Sequence, residues 1–403
     1  MSLRILILTP RIPFPLKDGG ALAMYQSIEM YHKMGCEVSL LSMNTTKHWC
    51  NEEDLPSLFQ QINYFESVKV ETNINVFSAF KNLFGKKSYH IERFINKKFE
   101  KAFNTILETL EFDIIQFESI FTAPYLSLIE KDNKALKVAR LHNIEFKIWE
   151  QLAKNEKNFL KKSYLQLLAK RLKEFELANL NLFDLLLPIS ENELQVLNTL
   201  GIETEKKYIP YGVEKFYFKT DAIEQEKDSI YFIGSMDWMP NQEGVEWFLE
   251  SVWPRLTAHW KNLKFYIAGK NMPHNLFKKT KNVIMLGEIE DMKTFSLEKN
   301  ILIVPLKSGA GLRIKILEAM ALGKTIISTE AGVEGLGLEK NIHYLSANSA
   351  EAFERKIKLC IDEPAEAKTL GENAKKMCLE KFNKTEIYKN LITYFIFKTQ
   401  VEK

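Results

Sequence analysis

Short apolar runs and stretches with helical spacing take turns along this chain. Residues Arg4–Thr9 form a continuous apolar run, read as a buried strand. A loop with three prolines fills 10–20, and 21–34 carry apolar positions on one helical face. Gly35 ends that helix, and 37–43 is the next strand. The same rhythm predicts strands at 113–117, 137–142 and 184–189, with one long helical stretch over 146–182. Ser190-Glu-Asn-Glu193 has the spacing of a capping box that opens another helix. A strand at 207–211 leads into the second half.

Residues 214–228 are polar and charged without periodicity, which predicts a linker. The rhythm restarts with a strand at 229–235 and a helix at 242–260. Further strands are predicted at 263–268, 282–286, 301–305 and 325–328. Strands alternating with helices imply parallel, doubly wound α/β sheets with right-handed crossovers. Two such sheets in tandem predict Rossmann-like domains at 1–207 and 208–381. The amphipathic, aromatic segment 382–397 needs an apolar surface, so 382–403 is expected to dock back on the first domain. Ligands of such sheets bind at the carboxyl ends of the strands. Those ends would line a cleft between two facing domains.

Composition narrows the class. The chain has 403 residues, 46% hydrophobic and 27% charged, as in ordinary soluble globular proteins. Its net charge of +3 is far from the basic footprint of a nucleic-acid binder. It leaves room for loose contact with an anionic membrane surface. The four cysteines have no CxxC or Cys/His spacing, so neither a disulfide framework nor a metal site is expected. A reduced, cytoplasmic setting fits. The first ten residues lack a signal-peptide pattern, and no run reaches the about 18 apolar residues of a membrane span.

The most informative stretch is 300–329. An apolar run is followed by Ser308-Gly309-Ala310-Gly311, then a helical pattern from Leu312 to Gly323, then a second β-branched run. A strand–glycine loop–helix unit offers loop amides and a helix N-terminus to an anion. Arg313 and Lys315 stand at that terminus. Positive side chains there oppose the helix dipole by about 0.3–1 kcal/mol each. An anion lodged between them and the helix end would reverse the sign of that term. Glu318, in the same helix, could reach a sugar hydroxyl beside the anion. The plainer alternative is a buried strand with turn glycines and an ordinary i,i+3 pair of Lys315 with Glu318.

This stretch resembles the donor-binding motif of retaining nucleotide-sugar glycosyltransferases of family 4, which have the GT-B fold. The family usually carries two glutamates, the second within Leu-Glu-Ala-Met-Ala. Here Glu318 matches the second and would hydrogen-bond the donor ribose. The first falls at Ala310, so the acid is missing. A subset with a Gly-rich loop and Arg-x-Lys is the better likeness, with Gly309, Ala310, Gly311 and Leu312 contacting the donor. Many relatives hold the diphosphate with basic residues after the first strand of this domain. The corresponding segment here, Gly234-Ser-Met-Asp-Trp-Met-Pro-Asn241, has none. The resemblance therefore implies that Arg313 and Lys315 take the diphosphate, with Gly234 and Asn241 on a donor-side loop (otherwise a plain strand-end turn). Gly287 and Ile289 resemble the loop that packs on the nucleobase.

In the first half, Asp18-Gly19-Gly20 precedes a helix and resembles the family's loop against donor phosphate and acceptor; a tight turn is the alternative. His142-Asn143 resembles the His-Asn segment near the transferred sugar, although a lone histidine is more often structural than catalytic. Residues 75–101 mix Phe77, Phe80, Phe84, Phe94 and Phe99 with lysines, and 154–173 are similarly basic. Membrane-bound acceptors would suit such surfaces, as would solvated amphipathic helices.

The resemblance implies sugar transfer with retention from a nucleoside diphosphate sugar to the hydroxyl of a glycan or lipid-linked acceptor. Cell-surface polysaccharide synthesis would be the setting. No cofactor or metal is called for, and contact with the inner membrane surface would be peripheral. A non-catalytic nucleotide-sugar binder and a sugar-nucleotide epimerase on the same fold are the competing readings. A Rossmann dehydrogenase is disfavoured, because 10–20 has no GxGxxG.

Overall fold

The computed structural model describes residues 2–73, 82, 85, 87–219, 223–272, 280–308, 311 and 313–401. The chain divides into two compact units, Met1–Pro210 with Tyr388–Lys403, and Tyr211–Ile387.

The first unit holds β1 (Arg4–Thr9), β2 (Glu37–Thr45), β3 (Tyr64–Val70), β4 (Ile114–Glu118), β5 (Leu136–Leu141), β6 (Leu185–Pro188) and β7 (Glu205–Lys206). They form one parallel sheet in the order β3-β2-β1-β4-β5-β6-β7. The second unit holds β8 (Glu226–Ile233), β9 (Lys264–Ala268), β10 (Val283–Gly287), β11 (Lys299–Val304), β12 (Thr325–Ser328) and β13 (Leu345–Ser346). Its order is β10-β9-β8-β11-β12-β13, again parallel. Strand order reverses between β1 and β4, and between β8 and β11. Both units are thus doubly wound α/β sheets, whose ligand crevice lies at that reversal.

The apolar runs follow from burial on both faces. Ile5 to Leu8 and Ile301 to Val304 are 0% exposed. Alternate residues of β11 serve opposite cores. Ile301 and Ile303 pack with Phe248 and Trp253, while Leu302 and Val304 pack with Ile316, Leu317 and Met320. Each such side chain contributes about 1.5–3 kcal/mol of burial.

Six helices matter below: α1 (Gly19–Lys33), α2 (Glu145–Asn155), α3 (Phe159–Leu180), α4 (Met239–Trp247), α5 (Ile314–Ala321) and α6 (Lys384–Val401). The single helix expected over 146–182 is two. The chain breaks at 156–158, where the Asn158 side chain accepts from the Lys161 amide at 3.0 Å and caps α3. The helix expected over 242–260 is α4, a π turn at Phe248–Val252, and a further helix at Trp253–His259. Pro254 lacks the amide proton that an unbroken ladder needs. Residues 214–228 are not all linker: Lys215–Phe218 is a helical turn, and β8 begins at Glu226. Glu226 pairs with Lys264 at 2.6 Å and Lys299 at 3.2 Å on the two neighbouring strands. In α6, Tyr388, Leu391 and Phe395 are fully buried, and the rings of Tyr388 and Phe395 lie 5.5 and 6.2 Å from that of Tyr31. Among the described residues no helix is long and apolar enough to cross a membrane.

Candidate functional site

In the second unit the strand-order reversal places the end of β8 beside the end of β11. Gly234 follows β8, and residues 305–308 follow β11. Gly309, Ala310 and Leu312 lie outside the described residues. Gly311 has φ 109, a conformation that favours glycine, and delivers the chain to α5. Arg313 occupies the N-cap of α5, two positions earlier in the helix than a start at Leu312 would put it. Its guanidinium is buried, and Nη2 donates to the Ala331 carbonyl at 3.1 Å. Burial lowers its pKa, with the Glu334 carboxylate acting the other way.

Lys315 points from α5 to the end of β8. Its Nζ donates to Asn241 Oδ1 at 3.1 Å and stands 4.0 Å from the centroid of the Phe232 ring. Asn241, buried in α4, donates through Nδ2 to the Ser235 carbonyl at 2.8 Å. A Cβ at Gly234 would come within 2.7 Å of Asn241 Nδ2 and 3.0 Å of Lys315 Nζ, so glycine lets these groups meet. Gly244 sets α4 down on β11 in the same way: its Cβ would be 2.8 Å from the Pro305 carbonyl oxygen. Among the described residues Lys315 has no carboxylate partner. Burial, and secondly the charge of Arg313, push its pKa down to about 7. A segment with no cation of its own, 234–241, thus receives one from α5.

Glu318 lies further along α5. Burial pushes its carboxyl up to about 7, opposed by a hydrogen bond donated by the Tyr217 hydroxyl. Tyr217 is raised in turn, by burial and then by the Glu318 charge. Tyr217 sits on the turn Lys215–Phe218, and the sequence reading missed it. Its one signal was the aromatic triplet Phe216-Tyr217-Phe218 in a charged segment. The ends of β8, β9 and β10 carry Gly234, Gly269 and Gly287. Gly269 N donates to the Gly287 carbonyl at 2.7 Å. Ile289 follows, half-buried against the core that contains Tyr231 and Ile316.

The first unit holds the other candidates. Asp18 caps α1, accepting from the Ala21 amide at 3.0 Å, and Arg11 Nη1 donates to its Oδ2 at 2.8 Å. Burial raises the Asp18 pKa, but Arg11 outweighs it and holds the carboxyl below its ordinary value. Gly19 and Gly20 open α1, and a Cβ at Gly20 would be 3.1 Å from Arg11 Nη2. His142 follows β5. Its Nε2 lies 2.6 Å from Oε2 of Glu118, a fully buried residue at the end of β4. Gln116 Nε2 donates to Glu118 Oε1 at 2.6 Å, and the Tyr31 hydroxyl donates to Gln116 Oε1 at 2.7 Å. The fully buried Arg140 puts Nε 4.0 Å from Glu118 Oε2. Glu118 was also missed; its signal was a carboxylate closing the apolar strand Ile-Ile-Gln-Phe.

The structure therefore brings together Gly234, Asn241, Arg313 and Lys315, with Glu318 on the same helix and Gly287 and Ile289 on the neighbouring strand ends. Asp18, Gly19, Gly20 and His142 belong to the other unit. Among the described residues no group of three His, Cys, Asp or Glu side chains could hold a metal ion.

Two parallel, doubly wound units in one chain are the architecture of the GT-B glycosyltransferases, and solved structures show the same fold. Sucrose-phosphate synthase from Thermosynechococcus elongatus matches with a TM-score of 0.71 at 15% identity, over 99% of this chain and 100% of that one. HepE from Anabaena, solved in complex with UDP, matches with a TM-score of 0.62 at 15% identity, over 98% and 99%. Residues 227–363 match the family described as glycosyl transferases group 1. An uncharacterized 44.6 kDa protein in the cps region of Klebsiella pneumoniae is 22% identical over 407 residues, spanning 96% of this chain and 98% of the relative.

Proposed function

We propose that this chain is a glycosyltransferase that uses a nucleoside diphosphate sugar and retains the anomeric configuration, in the manner of family 4. The observation that carries the proposal is the Lys315 ammonium, held at the end of β8 beside the N-terminus of α5 with no carboxylate partner among the described residues. The diphosphate would lie against Lys315, Arg313 and the first amides of α5. There its growing charge is stabilised in the transition state more than in the ground state. Glu318, steadied by Tyr217, would accept from the ribose hydroxyls, and Ile289 would pack on the base. His142, oriented by Glu118, would meet a sugar hydroxyl. In the reaction the bond from C1 of the sugar to the diphosphate breaks, and a bond from C1 to the acceptor oxygen forms on the same face. The acceptor proton leaves on a diphosphate oxygen. No metal enters this scheme. HepE has been solved with UDP and with UDP-glucose, which supports a uridine diphosphate sugar as the first donor to try. The relative in a cps region supports a growing polysaccharide or its lipid-linked precursor as acceptor.

The test is a thermal-shift screen of purified protein with UDP- and GDP-sugars, followed by transfer assays and NMR of the product anomer. A ligand at a hundred times its Kd adds about 2.7 kcal/mol of stability. Stabilisation without transfer to any glycan would leave a binder. Interconversion of the donor without an acceptor would make it an epimerase.

The pH dependence is specific. The Glu318 pKa is raised in the folded protein, so its neutral form is favoured. Its contribution to stability is present at acid pH and is lost as pH rises toward about 7. Donor binding needs its carboxylate and needs Lys315 charged. The profile of kcat/KM should therefore be a narrow bell near neutrality, which reports the free enzyme. Glu318→Gln is expected to lower kcat/KM about tenfold, one charge-assisted hydrogen bond's worth, and to flatten the acid limb alone. An unchanged acid limb would remove Glu318 from the donor site.

A further inference from the structure

The tip where α2 turns into α3 leaves large apolar side chains open to water. The two helices form a hairpin that buries Phe146 and Ala153 from α2, and Leu168, Ala169, Leu172 and Leu180 from α3. Phe159 and Leu160, the first residues of α3, take no part in that core: each is 77% exposed. Two adjacent large apolar side chains this open to water at the tip of a hairpin are unusual. Leu152, on the facing end of α2, is also exposed.

The charges around the tip are equally one-sided. Residues 147–173 contain seven lysines and one arginine against two glutamates. Glu150 and Glu156 are taken up by Lys147, Lys173 and Lys161. Lys154, Lys157, Lys162 and Lys170 have no carboxylate partner among the described residues. The first turn of α3 carries no acidic residue and two lysines, the reverse of what its dipole favours. Between the helices lies a cavity of about 470 Å³ lined by Lys154, Lys162, Lys170 and Lys173, against one carboxylate, Glu150, which pairs with Lys173. Its size and charge suit a phosphate-bearing headgroup.

We propose that the α2–α3 hairpin docks on a bilayer of anionic phospholipid. Phe159 and Leu160 enter the boundary between headgroups and acyl chains, and the surrounding ammoniums meet lipid phosphates. A bilayer is the partner that supplies an apolar phase directly beneath a sheet of negative charge, and lysine stems span that step. This goes beyond the sugar-transfer reading and stands without it. It places the protein where a lipid-linked acceptor would be.

The test is co-sedimentation of the full-length protein with vesicles of phosphatidylcholine alone or with one quarter phosphatidylglycerol. Binding is expected only to the second kind and should fall steeply in high salt. Phe159→Ser with Leu160→Ser, and separately Lys162→Glu with Lys170→Glu, should each weaken the partition at least about tenfold, several buried methylenes or lost ammoniums being involved. Thermal stability and its response to UDP should not change, because these side chains are outside the core and the donor site. The four native cysteines are buried, so Phe159→Cys can carry a polarity-sensitive fluorophore; its emission should shift to the blue on the anionic vesicles. Failure to bind anionic vesicles overturns the proposal, as does binding that survives both double substitutions. So does a concentration-dependent dimer that the Phe159 and Leu160 variant dissolves, since a second copy would then cover the tip.

Discussion

Replacing Lys315 by alanine is expected to lower kcat/KM for the sugar nucleotide by about 100- to 1000-fold, the loss of one preorganised group at a site of developing charge. The effect should be large because 234–241 has no lysine or arginine of its own, so Arg313, which also donates to the Ala331 carbonyl, would be left to face the diphosphate without its partner cation. Lys315→Arg should rescue little. The ammonium stands where a Cβ on Gly234 would come within 3.0 Å, against Asn241, and a planar guanidinium is wider. The same residue sets a pH signature. Burial depresses its pKa to about 7, so above that pH the empty site holds mostly neutral lysine. In the folded protein without ligand, that depressed pKa takes away stability as pH falls from the ordinary lysine range toward 7. A bound diphosphate restores the charge. Binding near pH 8 must then take up about one proton, and affinity should weaken as pH rises, by up to about tenfold per unit. Calorimetry of UDP binding in buffers of different ionisation enthalpy reads that proton directly. Proton uptake that persists in Lys315→Ala would assign it to another group.

The frame was legible because both faces of each sheet are covered. A strand buried on two sides must be a continuous apolar run, and 4–9, 301–304 and 325–328 announce themselves in that way. The same logic explains what stayed hidden. β3 is an edge strand whose first four residues are only half-buried, so Tyr64–Val70 shows no run. β7 and β13 are two residues each, too short for any period. The break at 156–158 rests on one asparagine cap, and polar residues there look like an exposed helical face. Within the candidate site, neighbours in sequence were readable and neighbours in space were not. Arg313, Lys315 and Glu318 share one helix. The meeting of Lys315 with Asn241 spans 74 residues, and that of His142 with Glu118 spans 24. Tyr217 was lost because a four-residue helix in a charged segment leaves no periodic trace.

Gly269→Ala is the change expected to harm the fold most. Gly269 has φ 147, and a Cβ there would lie 1.9 Å from the Gly234 carbonyl oxygen and 2.6 Å from its carbon. Both obstacles are backbone, so no side-chain rotation relieves them. Relief would require parting the ends of β8 and β9, which are tied by the Gly234 amide to the Ala268 carbonyl at 2.9 Å, while Gly269 N holds the end of β10 through the Gly287 carbonyl. Backbone strain and overpacking together should cost about 3–5 kcal/mol. For a unit of this size that lowers Tm by roughly 6–20 °C. Scanning calorimetry should see the loss in the transition of Tyr211–Ile387, while that of the first unit keeps its midpoint if the two unfold separately. Two control glycines separate the causes. Gly287→Ala meets open space and bears only the penalty of φ 70, about 1–2 kcal/mol. Gly234→Ala crowds only Asn241 and Lys315, whose side chains can move. It should weaken UDP binding more than it weakens the fold. A Gly269→Ala protein as stable as the parent would mean that β8 and β9 do not converge as described, and the seat of Lys315 at the end of β8 would go with them.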